Sequence, residues 1–457
     1  MDDTTRLIAD CASRLTFDDL PDEIVHAAIQ HTVDSLACAV AAYDSEPVTI
    51  GRRLAKGALP ERYPGRILGF GERSNAEAAA FVNTAMIRYL DFNDTATPGG
   101  HPSDCLGAHF ALAEAAGADG RRLLASIVAT YELFIRFSRA INLRDMGWDQ
   151  GFGVAVSTAA GLGNLLRLPA EVIGQAVAIA AVSSVPMRNT RAGALSLWKG
   201  AATAFAARGG VLATLLAAEG MTGPDRPFEG RDGLQQLITG PFELEPFGGR
   251  DGYRLPEVRL KYWPVESNGQ PVIWAALDLR TKVDWRELAD VEVSTYKFAI
   301  KEIAGEPEKW DPKTRETADH SLPYIFARAL VDGTITAGSF DEEAFGDPSL
   351  RPLMNKVRVR VDDELEAVYP ATIALRLEVA TVGGEHHTIE VRNPLGHDQN
   401  PMQDVDIREK FLRAGEPVLG AERARAALDR WWSLPSVATV SEALDCLDLP
   451  SAVAGAP

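Results

Sequence analysis

Cysteine is scarce, with four residues in 457, and Cys11, Cys38, Cys105 and Cys446 are scattered with no CxxC pair. No histidine stands at zinc-finger spacing from them, so neither a disulfide framework nor a structural zinc site is expected. Four dispersed thiols also offer no recognisable iron–sulfur cluster motif, and they read as free and buried. Basic residues are outnumbered, 46 Lys and Arg against 64 Asp and Glu, for a net charge of -18. Nucleic acids and anionic membranes are bound mainly through Lys and Arg, so neither is an expected partner. No apolar run approaches the ~20 residues that span a bilayer; candidates such as AVAIAAVSSV at 176–185 are about half that length. The opening MDDTTRLIADCASRL is acidic and lacks a basic stretch before an apolar core, so it reads as a helix rather than a signal peptide, and a cytoplasmic protein is expected. GFGERS at 69–74 and GLGNLL at 161–166 contain GxG without the third glycine of a dinucleotide fingerprint, and no GKS or GKT phosphate loop occurs.

What is present is an ordinary globular composition, 46% hydrophobic and 24% charged, in a chain long enough for two or three domains. In 121–140, Leu124, Ile127, Val128, Tyr131 and Ile135 share one helical face. Residues 171–185 and 200–219 are Ala-rich and apolar nearly all round, as for helices inside a bundle, and Gly220 is placed to terminate the second. After about residue 265 the period becomes two: Val291, Val293, Thr295; Val357, Val359, Val361; Ile373, Leu375, Leu377, Val379. Gly383-Gly384 then reads as a hairpin turn into TIEVRN. VDIREKFLRAG and AERARAALDRWWSL return to helical spacing. The expected fold is mainly α: a helical domain begun by 1–264, a smaller α+β insertion at 265–401, and C-terminal helices at 402–457 rejoining the first domain.

The densest chemistry lies in LDFNDTATPGGHPSD at 90–104, where Asp91, Asp94, Thr95 and His101 crowd into one short stretch. Pro98-Gly99-Gly100 cannot continue a helix, so the chain turns just before His101. Two readings stand at this point. The groups form an active-site loop, or Asp91 caps a helix, Asp94 and Thr95 make local turn bonds and His101 is solvated.

This stretch resembles the 2-methylcitrate dehydratase family, the MmgE/PrpD superfamily, whose members share DFNDT or DFDDT followed by HPSD or a close variant. Similar strings extend over nearly the whole chain: LSLWKGAATAFAARGGVLATLLAAEGMTGPDRPFEG at 195–230, LKYWPVES at 260–267, EPEKWDPKTRETADHSLPYIFARALVDG at 306–333 and NPLGHDQNPM at 393–402. The resemblance implies a large helical domain, a smaller α+β lid domain, a site between them and a homodimer.

An acidic chain that takes an anionic substrate needs local cations. Lys199 in SLWKGAAT enters an apolar helix, where a lysine pairs, snorkels or functions; the resemblance implies function. Lys261 precedes Trp263-Pro264 and reads as a linker lysine from the string alone, whereas the resemblance implies that it binds substrate. Arg188 and Arg191 are spaced to cluster, and Arg191 is the one assigned to a carboxylate. Pro323 starts a helix near Tyr324, displaying that phenol at the helix start, and the resemblance implies that it lines the active site. His26, His31 and His109 occupy helical stretches and read as structural.

On this basis the expected catalytic residues are Asp91, His101, Lys199, Lys261 and Tyr324. Thr95, Ser103, Gln150 and Arg191 are expected to bind substrate, as are Glu266, Asn268 and His320. The chain departs from the pattern at or next to Gln150, where many members carry histidine, and at Asn268, where some do. An amide hydrogen-bonds but does not exchange protons at neutral pH, which leaves His101 as the main imidazole, with Asp91 as its possible partner. The implied activity is elimination of water from 2-methylcitrate or a similar di- or tricarboxylate, with no metal and no cofactor. Decarboxylation of a cis-aconitate-type substrate, or epimerisation, uses the same machinery differently, and a non-catalytic carboxylate-binding protein is the alternative of another class.

Overall fold

The computed structural model describes residues 1–57 and 60–449; the end of the expected C-terminal segment, 450–457, lies outside them. Among the described residues the chain forms nineteen α-helices, one two-stranded and one four-stranded sheet, so it is mainly α as its periodicities indicate. It divides into two compact units. The first comprises residues 1–190, 200–259 and 403–457, and the second 191–199 and 260–402.

The first unit is a helical assembly. The helix Gly120–Ala140 buries Leu124, Ile127, Val128, Tyr131 and Ile135, the face read from the sequence, and Asp119 caps it by accepting from Arg122 N at 2.7 Å. Ala170–Ser183 and Trp198–Ala218 are the two Ala-rich helices, and the second runs into Gly220 at φ +96°. Trp198–Ala218 corrects one expectation. By length and composition it is apolar enough to cross a membrane, and 61% of its most apolar window is buried within the protein. Lys199 and Arg208 break its apolar run in the sequence without shortening the helix. A small antiparallel pair, Pro64–Arg66 with Arg73–Asn75, was not expected among the helices.

Near the C-terminus, helix Asp404–Leu419 carries Lys410 into the core, where Nζ lies 2.6 Å from Asp34 Oδ1 and donates to the Phe92 carbonyl at 2.8 Å. Burial pushes the Asp34 carboxyl up and Lys410 opposes that shift, as expected for a desolvated ion pair. The same lysine sits 3.7 Å over the Phe92 ring. This anchors the chain next to Asp91 to two helices distant in sequence.

His109 illustrates a histidine held neutral by the core. Its Nδ1 lies 3.1 Å from the Cys105 carbonyl and its Nε2 3.0 Å from Thr130 Oγ1, and burial pushes its pKa down to about 4. The unfolded imidazole takes up a proton as pH falls through about 6.5, while the folded one does not until about 4. Stability from this group is therefore present above 6.5 and lost as pH falls towards 4. His109→Gln is expected to remove about 2 kcal/mol of the stability lost between pH 7 and pH 5. Urea midpoints at the two pH values check this; parallel wild-type and variant curves would refute it.

The second unit contains the four-stranded sheet, in the order Val357–Val361, Leu288–Thr295, Ala374–Thr381, His386–Arg392. The first pair is parallel and the other two antiparallel, and the expected turn at Gly383-Gly384 joins the last two strands. Val291, Val293, Leu375, Leu377 and Val379 alternate inward and pack with Val272, Ile273 and Leu279 of helix Gln270–Arg280 and with Ile325 and Leu330 of helix Leu322–Asp332. Each such aliphatic side chain contributes about 1.5–3 kcal/mol by burial.

Candidate active site

In the first unit, Asp91, Thr95, His101 and Ser103 are brought together by the chain from 90 to 104. Its shape is set by Asp94, whose buried carboxylate accepts from Ser103 N at 3.2 Å, from Ser103 Oγ and from Tyr131 Oη at 2.7 Å, with His31 Nδ1 at 3.1 Å. Burial and this carboxylate both push the Tyr131 hydroxyl up, so it stays a donor. Ser103, expected to bind substrate, is fully buried and its hydroxyl is engaged by Asp94. Thr95 forms a backbone bridge with Arg259 and its hydroxyl donates to the Gly100 carbonyl at 3.3 Å. Gly100 has φ +108°, and a Cβ there would lie 2.7 Å from Phe134 Cζ and 3.0 Å from Gln150 Oε1, so only glycine lets the turn approach so closely.

His101 Nδ1 hydrogen-bonds the backbone carbonyl of Asp94. A carbonyl only accepts, so Nδ1 carries the proton and the neutral ring has its basic lone pair on Nε2. The ring is partly exposed. Asp91 has φ +48° and its Oδ1 lies 2.9 Å from Arg88 NH1. Arg88 is almost wholly buried, and its Nε lies 3.7 Å from Asp104, whose carboxylate also accepts from Asn93 at 2.9 Å and from Gln150 at 3.2 Å. Arg88 and Asp104 were not picked out from the sequence. The spacing of Arg88 and Asp91, three apart at a helix end, was the signal available.

In the second unit the central feature is Lys199, with Nζ 3.4 and 3.5 Å from the two Asp319 oxygens and both side chains essentially without solvent exposure. Asp319 also binds His320 Nδ1, and Arg315 NH1 lies 4.0 Å from its other oxygen. A carboxylate fixing one ring nitrogen sets the orientation of the other, which is how an imidazole is prepared for proton transfer. Asp319 was passed over in the sequence although it immediately precedes His320. The Asp319 carbonyl accepts from Glu266 N at 3.2 Å, tying the next predicted residue to the same cluster.

Glu266 and Asn268 bond each other: Glu266 Oε2 accepts from Asn268 N at 2.6 Å and both its oxygens lie 2.9 Å from Asn268 Nδ2. Asn268 Oδ1 accepts from Tyr296 Oη, whose ring stacks on Tyr369 with centroids 4.3 Å apart. Lys261 is 1% exposed. The chain beside it is held by Leu260 N donating to the Gly396 carbonyl at 2.9 Å. Gly396 has φ +101°, and a Cβ there would fall 2.2 Å from the Leu260 carbonyl oxygen, which accounts for the glycine in NPLGHDQNPM. Arg191 is half-buried.

Tyr324 stands differently from its expected display. The helix Leu322–Asp332 does start beside it, capped by Ser321, but the ring is 1% exposed and packs in the core beside Phe340. Its hydroxyl donates to the Ser339 carbonyl, and burial pushes the phenol well above its ordinary range. In this geometry the phenol is a core hydrogen-bond donor. Among the described residues no three or more His, Cys, Asp or Glu side chains are grouped so as to hold a metal ion.

Residues 6–246 match the MmgE/PrpD N-terminal domain and residues 263–434 the MmgE/PrpD C-terminal domain. A 2-methylcitrate dehydratase from Cupriavidus necator is 27% identical over 424 residues, covering 83% of each chain. One from Salmonella typhi is 27% identical over 425 residues with the same coverage. A cis-aconitate decarboxylase from Aspergillus terreus is 25% identical over 490 aligned positions, covering 98% of this chain and 96% of that one. With both domains matched in order along the chain, this protein belongs to the MmgE/PrpD family.

Proposed function

We propose that the protein is a hydro-lyase that eliminates water from 2-methylcitrate or a similar hydroxy-tricarboxylate without metal or cofactor. The observation that carries this reading is the set of buried lysines in an acidic chain: Lys199 and Lys261 are each 1% exposed, while the whole sequence carries -18. A field of this sign repels an anion, so buried cations supply the local positive charge that an anionic ligand needs. The named relatives, a dehydratase of 2-methylcitrate and a decarboxylase of cis-aconitate, both take small carboxylates.

In the proposed reaction a base removes a proton from the carbon beside a carboxylate. The electron pair forms the double bond, the C–O bond to the hydroxyl breaks, and an acid protonates the departing oxygen to give water. Negative charge builds on the carboxylate during this step, and Lys199 and Lys261 stabilise it. His101 serves as base through Nε2, the nitrogen left basic by its Asp94 bond. Asp91, held by Arg88, fixes the loop charge beside it. His320, oriented by Asp319, takes the acid role ahead of Tyr324, because proton transfer from Tyr324 would first require breaking its bond to Ser339.

Decarboxylation is the second reading, supported by the likeness to the Aspergillus terreus enzyme over nearly the full chain. Incubation with 2-methylcitrate, citrate and cis-aconitate in deuterated water, followed by NMR, separates the two. Alkene from 2-methylcitrate supports the dehydratase. Carbon dioxide from cis-aconitate, with no dehydration of either hydroxy acid, replaces it by the decarboxylase.

We also propose a homodimer. Phe205 and Leu212, one heptad apart on helix Trp198–Ala218, are 52% and 38% exposed, and Val182 on the preceding helix is 53% exposed. Large apolar side chains exposed on one helical face favour a covered interface. Phe205→Asp with Leu212→Glu is expected to halve the mass measured by light scattering; an unchanged mass would remove this face from the interface.

A further inference from the structure

Outside its sheet, the second unit buries three lysines, Lys199, Lys261 and Lys309, and three acids, Glu316, Asp319 and Asp362, of which Glu316 and Asp319 lie near Lys199. Lys309 is the member to which neither the sequence reading nor the proposed mechanism assigns a role. It ends the turn Pro307–Lys309, and its backbone is fixed at both ends: N donates to the Glu306 carbonyl at 3.0 Å and the carbonyl accepts from Ser321 Oγ. Lys309 is 2% exposed, and among the described residues burial and neighbouring charges, with no hydrogen bond, are what act on its ammonium. The charges acting on it come from Glu306, Asp319, Lys199 and Glu302. Glu306 already accepts from Gly193 N at 3.2 Å, and Asp319 already holds Lys199 and His320. Burial is the largest influence on Lys309 and pushes its pKa down. Neighbouring Glu316 is also buried, its Oε1 without a hydrogen-bond partner, and burial pushes that carboxyl up under the opposing influence of Lys199.

A buried ammonium without a counterion is costly, and a ligand carboxylate removes that cost. We propose that Lys309 is a further carboxylate-binding residue, which with Lys199 forms a two-lysine seat for two carboxylates of one ligand. This rests on the reading of the substrate as a polycarboxylate. It adds a specificity device: Lys199 and Lys261 take the two carboxylates that a dicarboxylate offers and Lys309 takes the third, so it discriminates tricarboxylates from dicarboxylates.

The test compares propane-1,2,3-tricarboxylate with glutarate on the full-length protein by calorimetric titration. Lys309→Met keeps length and removes charge. It is expected to weaken the tricarboxylate by about ten- to a hundredfold, the range one charge-assisted hydrogen bond gives. Glutarate binding should change by less than about threefold, and Lys309→Arg should restore most of the loss. Should the methionine variant melt earlier without ligand, Lys309→Gln carries the same comparison; loss of the fold in both assigns the lysine to structure and overturns the proposal. Equal weakening of both ligands, or none, also overturns it while leaving the polycarboxylate reading intact. Wild-type protein that binds neither ligand overturns both together.

Discussion

Lys199→Met should lower kcat/KM for the carboxylate substrate by about 10³-fold, the loss typical when a group that stabilises developing oxyanion charge is removed from a dry site. The side chain is 1% exposed and its ammonium lies 3.4 Å from a fully buried carboxylate, so its field is little screened by solvent. Its removal also leaves Asp319 with one cation fewer. Loss of one partner of a buried pair costs about 3–5 kcal/mol when nothing compensates; here Arg315, 4.0 Å from Asp319, and His320 remain beside it. A moderate fall in melting temperature with retained helical circular dichroism is therefore expected beside the kinetic loss. Steady-state rates together with a melting curve separate the two effects. A folded variant with unchanged kcat/KM would take Lys199 out of the mechanism.

His101→Ala should cost about 10²–10⁴ in kcat, the usual contribution of a positioned acid–base group. Little stability should go with it, because the ring is partly exposed and the Asp94 carboxylate keeps its contacts with Ser103, Tyr131 and His31. The acidic limb of the wild-type pH–rate profile, where a base becomes protonated and inactive, should vanish with the imidazole if Nε2 is the base. Asp94→Asn should behave otherwise. It breaks the contacts that shape the whole loop, so it should lower activity and stability together, whereas His101→Ala lowers activity alone.

The elements were legible where one physical period dominates. The face of Gly120–Ala140 and the alternation of Leu288–Thr295 and Ala374–Thr381 follow from which side chains must leave water. The length of Trp198–Ala218 was harder to read, because Lys199 and Arg208 interrupt its apolar run although one is buried in an ion pair and the other is half-buried on its face. Tyr324 shows a different limit. The helix start beside it follows from Pro323, but the destination of its hydroxyl depends on Ser339, fifteen residues on. Partners distant in the chain are set by tertiary packing alone: Lys199 and Asp319 stand 120 residues apart, and Lys410 and Asp34 stand 376 apart. Lys309 shares this obscurity, since in EPEKWDPK it looks like any surface lysine in a charged stretch, and only the fold shows it buried.

The central claim is that this chain dehydrates a hydroxy-tricarboxylate with its own side chains. The most direct test is the progress of alkene absorbance when chelator-stripped protein meets 2-methylcitrate. Steady alkene formation at the rate of untreated enzyme is expected, abolished in Lys199→Met. Turnover that appears only after iron is restored, or that survives unchanged in Lys199→Met, would contradict it.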